Sequence, residues 1–170
     1  MRKVILGVAV SLDGFIEGPN GEYDWCFNDQ DYGMKQFIKR VDTIFMGRKS
    51  YELASTYNGK SPWKGISTYV FSNTLKSVKA KDTFLVSGDV VKETRKIKAT
   101  AGKDIWLFGG AQLTTSFINE RLLDELWLAV HPIVLGSGKP LFQGVLSRLK
   151  IKLIESQEYN SGLVSLKYSV

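Results

Sequence analysis

Apolar positions recur along this chain with two different periods, and the periods mark out its elements. Residues 4–10 form a continuous apolar run rich in β-branched side chains, the pattern of a strand buried on both faces. Met34, Phe37, Ile38 and Val41 fall at i, i+3, i+4 and i+7, which predicts a helix whose apolar face runs through Val41. Strands are predicted over 43–46, 68–71, 83–87 and 105–108, and helices over 50–56, 90–100 and 111–120. In the last of these helices Leu113 and Phe117 stand one turn apart. Polar loops are expected at Gly18-Pro19-Asn20-Gly21 and over 57–65, where two glycines, Pro62 and Trp63 cluster.

Beyond residue 120 the pattern changes. Residues 125–135, 151–158 and 163–170 are strand candidates with no helix between them. Asn160-Ser161-Gly162 supplies turn chemistry, so the last two predict an antiparallel hairpin. The order predicts an α/β fold of three layers: a mostly parallel central sheet flanked by helices, with an antiparallel hairpin at its C-terminal end. A chain of 170 residues is expected to form one domain over 1–170 with a sizeable core.

Two of the predicted strands end in glycine and open at once into a helix. They are Thr43-Ile44-Phe45-Met46-Gly47-Arg48-Lys49-Ser50 and Ile105-Trp106-Leu107-Phe108-Gly109-Gly110-Ala111-Gln112. A helix start offers unpaired N–H groups and the positive end of the dipole, so it accommodates a phosphate. Glycine lets that phosphate approach the backbone with no Cβ in the way. Two such starts in one chain point to a ligand with two anionic centres, such as a dinucleotide.

Charge fits that reading and narrows it. The net charge of +6 favours anionic partners. The most basic stretch, 76–103, is interrupted by Asp82, Asp89 and Glu93, so it reads as a solvated face rather than a nucleic-acid stripe. Cys26 is the one cysteine, which excludes an internal disulfide framework and fits a reducing cytoplasm. Arg2-Lys3 before 4–10 is a short apolar run with no cleavage pattern after it, so a buried first strand is expected rather than a leader. No apolar run is long enough for a membrane span. One histidine, His131, and one cysteine leave little material for a soft-metal site. His131 reads as a strand residue near a bend, and Cys26 as a small, partly buried apolar residue.

Four blocks carry a resemblance that covers nearly the whole chain. They are Ser11-Leu12-Asp13-Gly14, the run from Met46-Gly47-Arg48-Lys49-Ser50 to Tyr51-Glu52, Phe108-Gly109-Gly110-Ala111, and the run from Pro132-Ile133-Val134-Leu135-Gly136 to Ser137-Gly138-Lys139-Pro140-Leu141-Phe142. In this order and spacing they resemble the dihydrofolate-reductase-like fold, and within it the reductase domain of bacterial riboflavin biosynthesis. The resemblance implies hydride transfer from NADPH, with cofactor and substrate on opposite sides of a cleft in the sheet. Carried over by position, Gly47, Arg48, Lys49 and Ser50 would hold cofactor phosphate. Ser72, Asn73 and Thr74 would lie beside the adenosine 2′-phosphate. Phe108, Gly109, Gly110, Ala111 and Gln112 would lie against the pyrophosphate, and Val10 would border the cofactor from the first strand. For Arg48 a surface ion pair is the competing reading.

Asp13 and Asp31 are the candidate catalytic carboxylates. Asp13 closes the first strand at the cleft edge, where it would orient a substrate hydroxyl or amine or relay a proton; an ordinary Asp-Gly turn explains it equally. Asp29 and Asp31 lie close to the place where dihydrofolate reductases carry their acid, but Gly33 stands nearer to it, and Asp31 also reads as a helix cap. Trp25 and Phe27 are expected to wall the substrate ring, or else to anchor a loop. Lys139, with Arg148, is a candidate for a substrate anion or an ordinary surface charge. The histidine, glutamate and paired-cysteine signature of the zinc deaminase often fused to this reductase has no counterpart in these residues.

The expected activity is NADPH-dependent reduction of a small heterocyclic or ribosylamino-pyrimidine substrate. Dihydrofolate reduction and non-catalytic NADP binding are the alternatives. A homodimer through the apolar C-terminal strands is expected.

Overall fold

The computed structural model describes residues 1–56, 63 and 65–170. Its elements in order are β1 (Val4–Ser11), β2 (Phe15–Glu17), α1 (Met34–Arg40), β3 (Val41–Gly47), α2 (Arg48–Ser55), β4 (Ser67–Phe71), β5 (Thr83–Val86) and α3 (Val90–Ala99). There follow β6 (Asp104–Gly109), α4 (Ala111–Asn119), β7 (Glu125–His131), β8 (Lys139–Pro140), β9 (Lys152–Glu158) and β10 (Val164–Ser169). Eight strands form one sheet in the order β5-β4-β3-β6-β1-β7-β10-β9, and β2 pairs with β8 in a small second sheet. From β5 to β7 every pairing is parallel, whereas β10 runs antiparallel to both β7 and β9. The predicted mixed sheet is therefore the one observed.

The period of two puts successive residues on opposite faces. Val4, Leu6, Phe45, Ile105 and Leu107 pack on one face with Ile97 of α3 and Leu113 and Phe117 of α4. Ile5, Ile44, Met46 and Trp106 pack on the other with Phe37 of α1 and Tyr51 of α2. Helices thus cover both faces of the parallel part, which requires its strands to be apolar throughout. Among the described residues no helix is long and apolar enough to cross a membrane.

Three boundaries differ from the sequence reading. The helix face drawn through Val41 is cut short: α1 ends at Arg40, and Val41, extended at φ −112° and ψ 152°, begins β3. Val41 stays buried, but as a strand residue, while Met34 is 40% exposed. Spacing alone could not separate a helix residue from the strand that follows without a turn. The strand expected over 125–135 stops at His131, because Pro132 has no N–H for the ladder. Ile133 N–H instead donates back to His131 O, and Leu12 N–H to Ile133 O. Lastly, α2 begins at Arg48. The loop expected over 57–65 lies outside the described residues except at Trp63 and Gly65.

Candidate functional site

β3 and β6 are parallel neighbours, and their register sets Met46 beside Gly109. The two glycine-ended strands separated by some sixty residues of chain therefore finish side by side. Each hands over to a helix whose N-cap is glycine, Gly47 for α2 and Gly110 for α4, with no side-chain capping bond at either. The first-turn N–H groups at both ends are thus left without a side-chain acceptor. A Cβ built on Gly47 would stand 3.9 Å from Gly109 O and Gly110 N, and one on Gly110 would stand 3.5 Å from Ser50 Oγ. Gly109 has φ 110° and joins Gly110 through a cis peptide. Beneath the turn, Thr114 Oγ1 is buried with no hydrogen-bond partner among the described residues.

A cavity of about 310 Å³ opens beside these helix starts. It is lined by Gly47 and Arg48, by Phe71 at the end of β4 with Ser72 and Asn73 after it, by Val86, Gly88 and Val90 where β5 hands over to α3, and by Gln112, Leu113 and Ser116 of α4. These are the carboxyl ends of parallel strands, where open α/β sheets hold their ligands. Asn73 Oδ1 accepts Gly88 N–H at 2.8 Å and ties two of the rim loops together. Ser72 Oγ accepts the N–H groups of Thr74 and Leu75 at 3.2 and 3.0 Å, which fixes the 72–75 turn. The Arg48 guanidinium pairs with Glu52 one turn on, at 2.8 Å, and both side chains are well exposed. Arg48 thus forms the surface ion pair of its competing reading, and it also lines the cavity.

Of the residues proposed for the cofactor, Gly47, Arg48, Ser72, Asn73 and Gln112 are brought into one cavity, and Ser50, Gly109, Gly110, Ala111 and Thr74 stand at its edge in the same turns. Lys49 is exposed in the first turn of α2. Val10 is 5% exposed and belongs to the core. Phe108 packs with Trp63 and Trp106 on the other face of the sheet. Gly88, Val90 and Ser116 were not anticipated. Yet Gly88, at φ 89° between β5 and α3, repeats the strand–glycine–helix pattern and was legible by that signal.

A second cluster forms where β1 and β7 end. Register sets Ser11 beside His131. Asp13 accepts the Ser11 hydroxyl at 2.7 Å and the N–H groups of Leu135 and Gly136 at 3.1 and 2.7 Å. The Ser11 hydroxyl, with these two amides, holds its carboxyl below the usual range. Trp25 and Phe27 pack on His131 with ring centroids 5.3 and 5.0 Å away. Burial pushes the nearby Cys26 thiol up to about 11, so it is neutral. Asp31 Oδ1 accepts Lys35 N–H at 2.9 Å, which is a cap at the start of α1. Lys139 pairs with Glu17 at 2.6 Å across the small sheet. Three strand spacings, about 14 Å, separate the Gly47 end of β3 from the His131 end of β7.

A family model described as the RibD C-terminal domain matches residues 2–165. The chain belongs to the RibD C-terminal domain family. It is 44% identical to the uncharacterized protein YyaP of Bacillus subtilis (strain 168), over 98% of this chain and 94% of that one. A solved protein of Shewanella sp. PV-4, provisionally named for riboflavin biosynthesis, has 29% identity and a TM-score of 0.88, covering 99% of this chain and 98% of its own. The bifunctional deaminase and 5-amino-6-(5-phosphoribosylamino)uracil reductase of Thermotoga maritima matches at a TM-score of 0.77 and 15% identity. This chain corresponds to 56% of that protein, and the likeness at that identity is one of fold. The RibD-type fold of this chain is that of a riboflavin-pathway reductase domain.

Proposed function

We propose that this protein is an NADPH-dependent reductase that transfers hydride to a small heterocyclic or ribosylamino-pyrimidine substrate, and that it works as a homodimer. One observation carries the reading: two uncapped, glycine-started helices converge on a single cavity rimmed by Ser72, Asn73 and Gln112. The residues fit a dinucleotide. The space a Cβ would fill at Gly47 and Gly110 is open to phosphate, and the unpartnered Thr114 hydroxyl lies under the turn. Arg48 and the hydroxyl and amide groups of Ser72 and Asn73 suit a phosphorylated ribose.

When bound, NADPH supplies the hydride; in the riboflavin-type reaction it goes to the sugar carbon bonded to the amine. The glycine-started turns at Gly47 and Gly110 would hold the cofactor's phosphates, and the substrate would lie where β1 and β7 end. There Asp13, unprotonated at neutral pH, orients the substrate by accepting a hydrogen bond, and Trp25 and Phe27 wall its ring. The protein contributes alignment and exclusion of water.

The test is a titration of the purified protein with NADPH and NADH at matched salt, read by ligand fluorescence. Tight NADPH binding with much weaker NADH binding is expected. Equal affinities, or none, would remove the reductase reading and leave the fold untouched. NADPH oxidation would then be followed with the riboflavin intermediate and, in parallel, with dihydrofolate. Ordinary turnover of the latter would replace the proposed substrate class.

A further inference from the structure

His131, at the end of β7, is 2% exposed, and both of its ring nitrogens are engaged. Nδ1 lies 3.0 Å from Ala129 O, and Phe27 N–H donates to Nε2 across 3.1 Å. A backbone amide can only donate, so Nε2 is an acceptor and the proton sits on Nδ1. The hydrogen-bond pattern thus requires a neutral imidazole in one tautomer. Around it, Trp25 meets the ring edge-on, Phe27 lies against it, and Phe27 in turn touches Tyr32. Residues 18–33 contain neither helix nor strand, so this bond ties an irregular segment to the sheet. Phe27 is itself 39% exposed and offers a face to a ligand.

We propose that His131 is a positioning residue: its unprotonated Nε2 holds the Phe27 amide, and with it the Trp25–Phe27 wall, and releases both when it takes a proton. Protonation would set one N–H against another beside an imidazole that is 2% exposed, so the bond is lost and both donors are left without that partner. Burial already pushes the imidazole below its ordinary 6.5, against the opposing pull of the Ala129 and Val10 backbone. Of the ionisable groups on the neighbouring segments, Asp13 is held by Ser11, Leu135 and Gly136, Asp29 by the Tyr32 hydroxyl and Asp31 by Lys35 N–H. Asp24 acts on the neutral Cys26. Among the described residues none of these carboxylates hydrogen-bonds the ring. The coupling is a property of the free protein; only the statement that the wall meets substrate rests on the reductase reading.

His131 is the chain's one histidine, so selectively 15N-labelled histidine reports it without ambiguity. NMR on wild type, His131→Gln and His131→Leu would follow the imidazole tautomer and the hydrogen-exchange protection of the Phe27 amide from pH 8 to pH 5. Glutamine presents an oxygen near the place of Nε2 but does not titrate. In wild type we expect the Nδ1–H tautomer, a midpoint below 6.5, and Phe27 protection that falls about tenfold through that midpoint, the scale of one backbone hydrogen bond. Protection should be insensitive to pH in His131→Gln and low throughout in His131→Leu. If His131→Leu does not fold, the wild-type and glutamine pair decides the matter. Equal pH profiles in those two, or an Nε2–H tautomer, would overturn the proposal. If NADPH turnover is found, KM for the substrate should rise at low pH in wild type alone, with kcat and NADPH affinity following the same course in both proteins. A KM profile shared by the two would remove the link to substrate, while failure of NADPH binding would leave the NMR result standing.

Discussion

Gly47 lies at φ −77° and ψ 166°, a conformation open to any residue, so what matters there is its missing side chain rather than backbone freedom. A Cβ at that position meets only ordinary contacts at 3.9 Å. Gly47→Ala should therefore change stability by less than about 1 kcal/mol. It should weaken NADPH binding about tenfold or more, an effect of at least ~1.4 kcal/mol, through the cavity it fills. Thermal unfolding and the NADPH titration on one sample check both halves. Asp13 is the opposite case, a side chain already committed by three bonds, one from the Ser11 hydroxyl and two from the backbone of the loop after β7. Asp13→Asn should abolish turnover, measured by NADPH oxidation, and leave NADPH affinity nearly unchanged; undiminished activity would make Asp13 an ordinary turn residue. The pH dependence of stability follows from two groups. The His131 imidazole is lowered from 6.5 by burial, so as pH falls through 6.5 the unfolded chain takes up its proton first. Stability is thus full above 6.5 and declines below it, levelling off once the folded imidazole also protonates. The Asp13 carboxyl is lowered from 3.8, so its contribution is present above 3.8 and lost as pH falls through the folded value. Urea unfolding across pH 8 to 5, with His131→Gln as control, should show the first decline in wild type and a flatter course in the variant.

At the level of elements, β1 shows why an apolar run was legible and its glycine was not. The β-branched residues of 4–10 announce a buried strand, and Gly7 within them looks like a weakness. In the sheet, Trp106 of β6 donates its indole N–H to Gly7 O at 2.9 Å. A Cβ on Gly7 would come within 2.8 Å of that nitrogen and 3.4 Å of Phe37 in α1. Gly7→Ala should therefore destabilise the fold by about 1–3 kcal/mol through overpacking. Calorimetry tests this, and an unchanged melting temperature would mean that Trp106 can move aside. Helix α3 was legible at its start: Asp89 Oδ1 accepts Val91 and Lys92 N–H at 2.8 and 3.1 Å, as a capping residue does. Helix α1 was legible only through Asp31. Its N-cap, Gly33 at φ 87°, has no side chain to cap it, the bond into its first turn comes from Asp31 two residues upstream, and its other end runs straight into β3 with no turn between.

On the scale of the whole molecule, the β9 edge of the sheet is exposed along its whole length. All seven residues of β9 are exposed, including Leu153 at 51% and Ile154 at 55%. An open edge with apolar side chains on both faces invites a further strand. Light scattering should give about twice the chain mass of 19.1 kDa; a mass near 19.1 kDa would remove the dimer from the proposal. The rest of the architecture shows where sequence suffices. Periodicity and turn chemistry are local, since they act between residues within a turn or a pleat. The sequence by itself therefore determined the succession of main-sheet strands and helices, the parallel body with its antiparallel end, and both glycine-started helices, but not the short β2–β8 pair. Which of those pieces stand together is a matter of strand order and register, set by packing between segments as far apart as β1 and β7, where Ile5 pairs with Glu125. Only the tertiary structure decided that Gly47 and Gln112 share one cavity with Asn73, that Phe108 packs on the opposite face of the sheet, and that the lone histidine accepts the Phe27 amide beneath the aromatic wall.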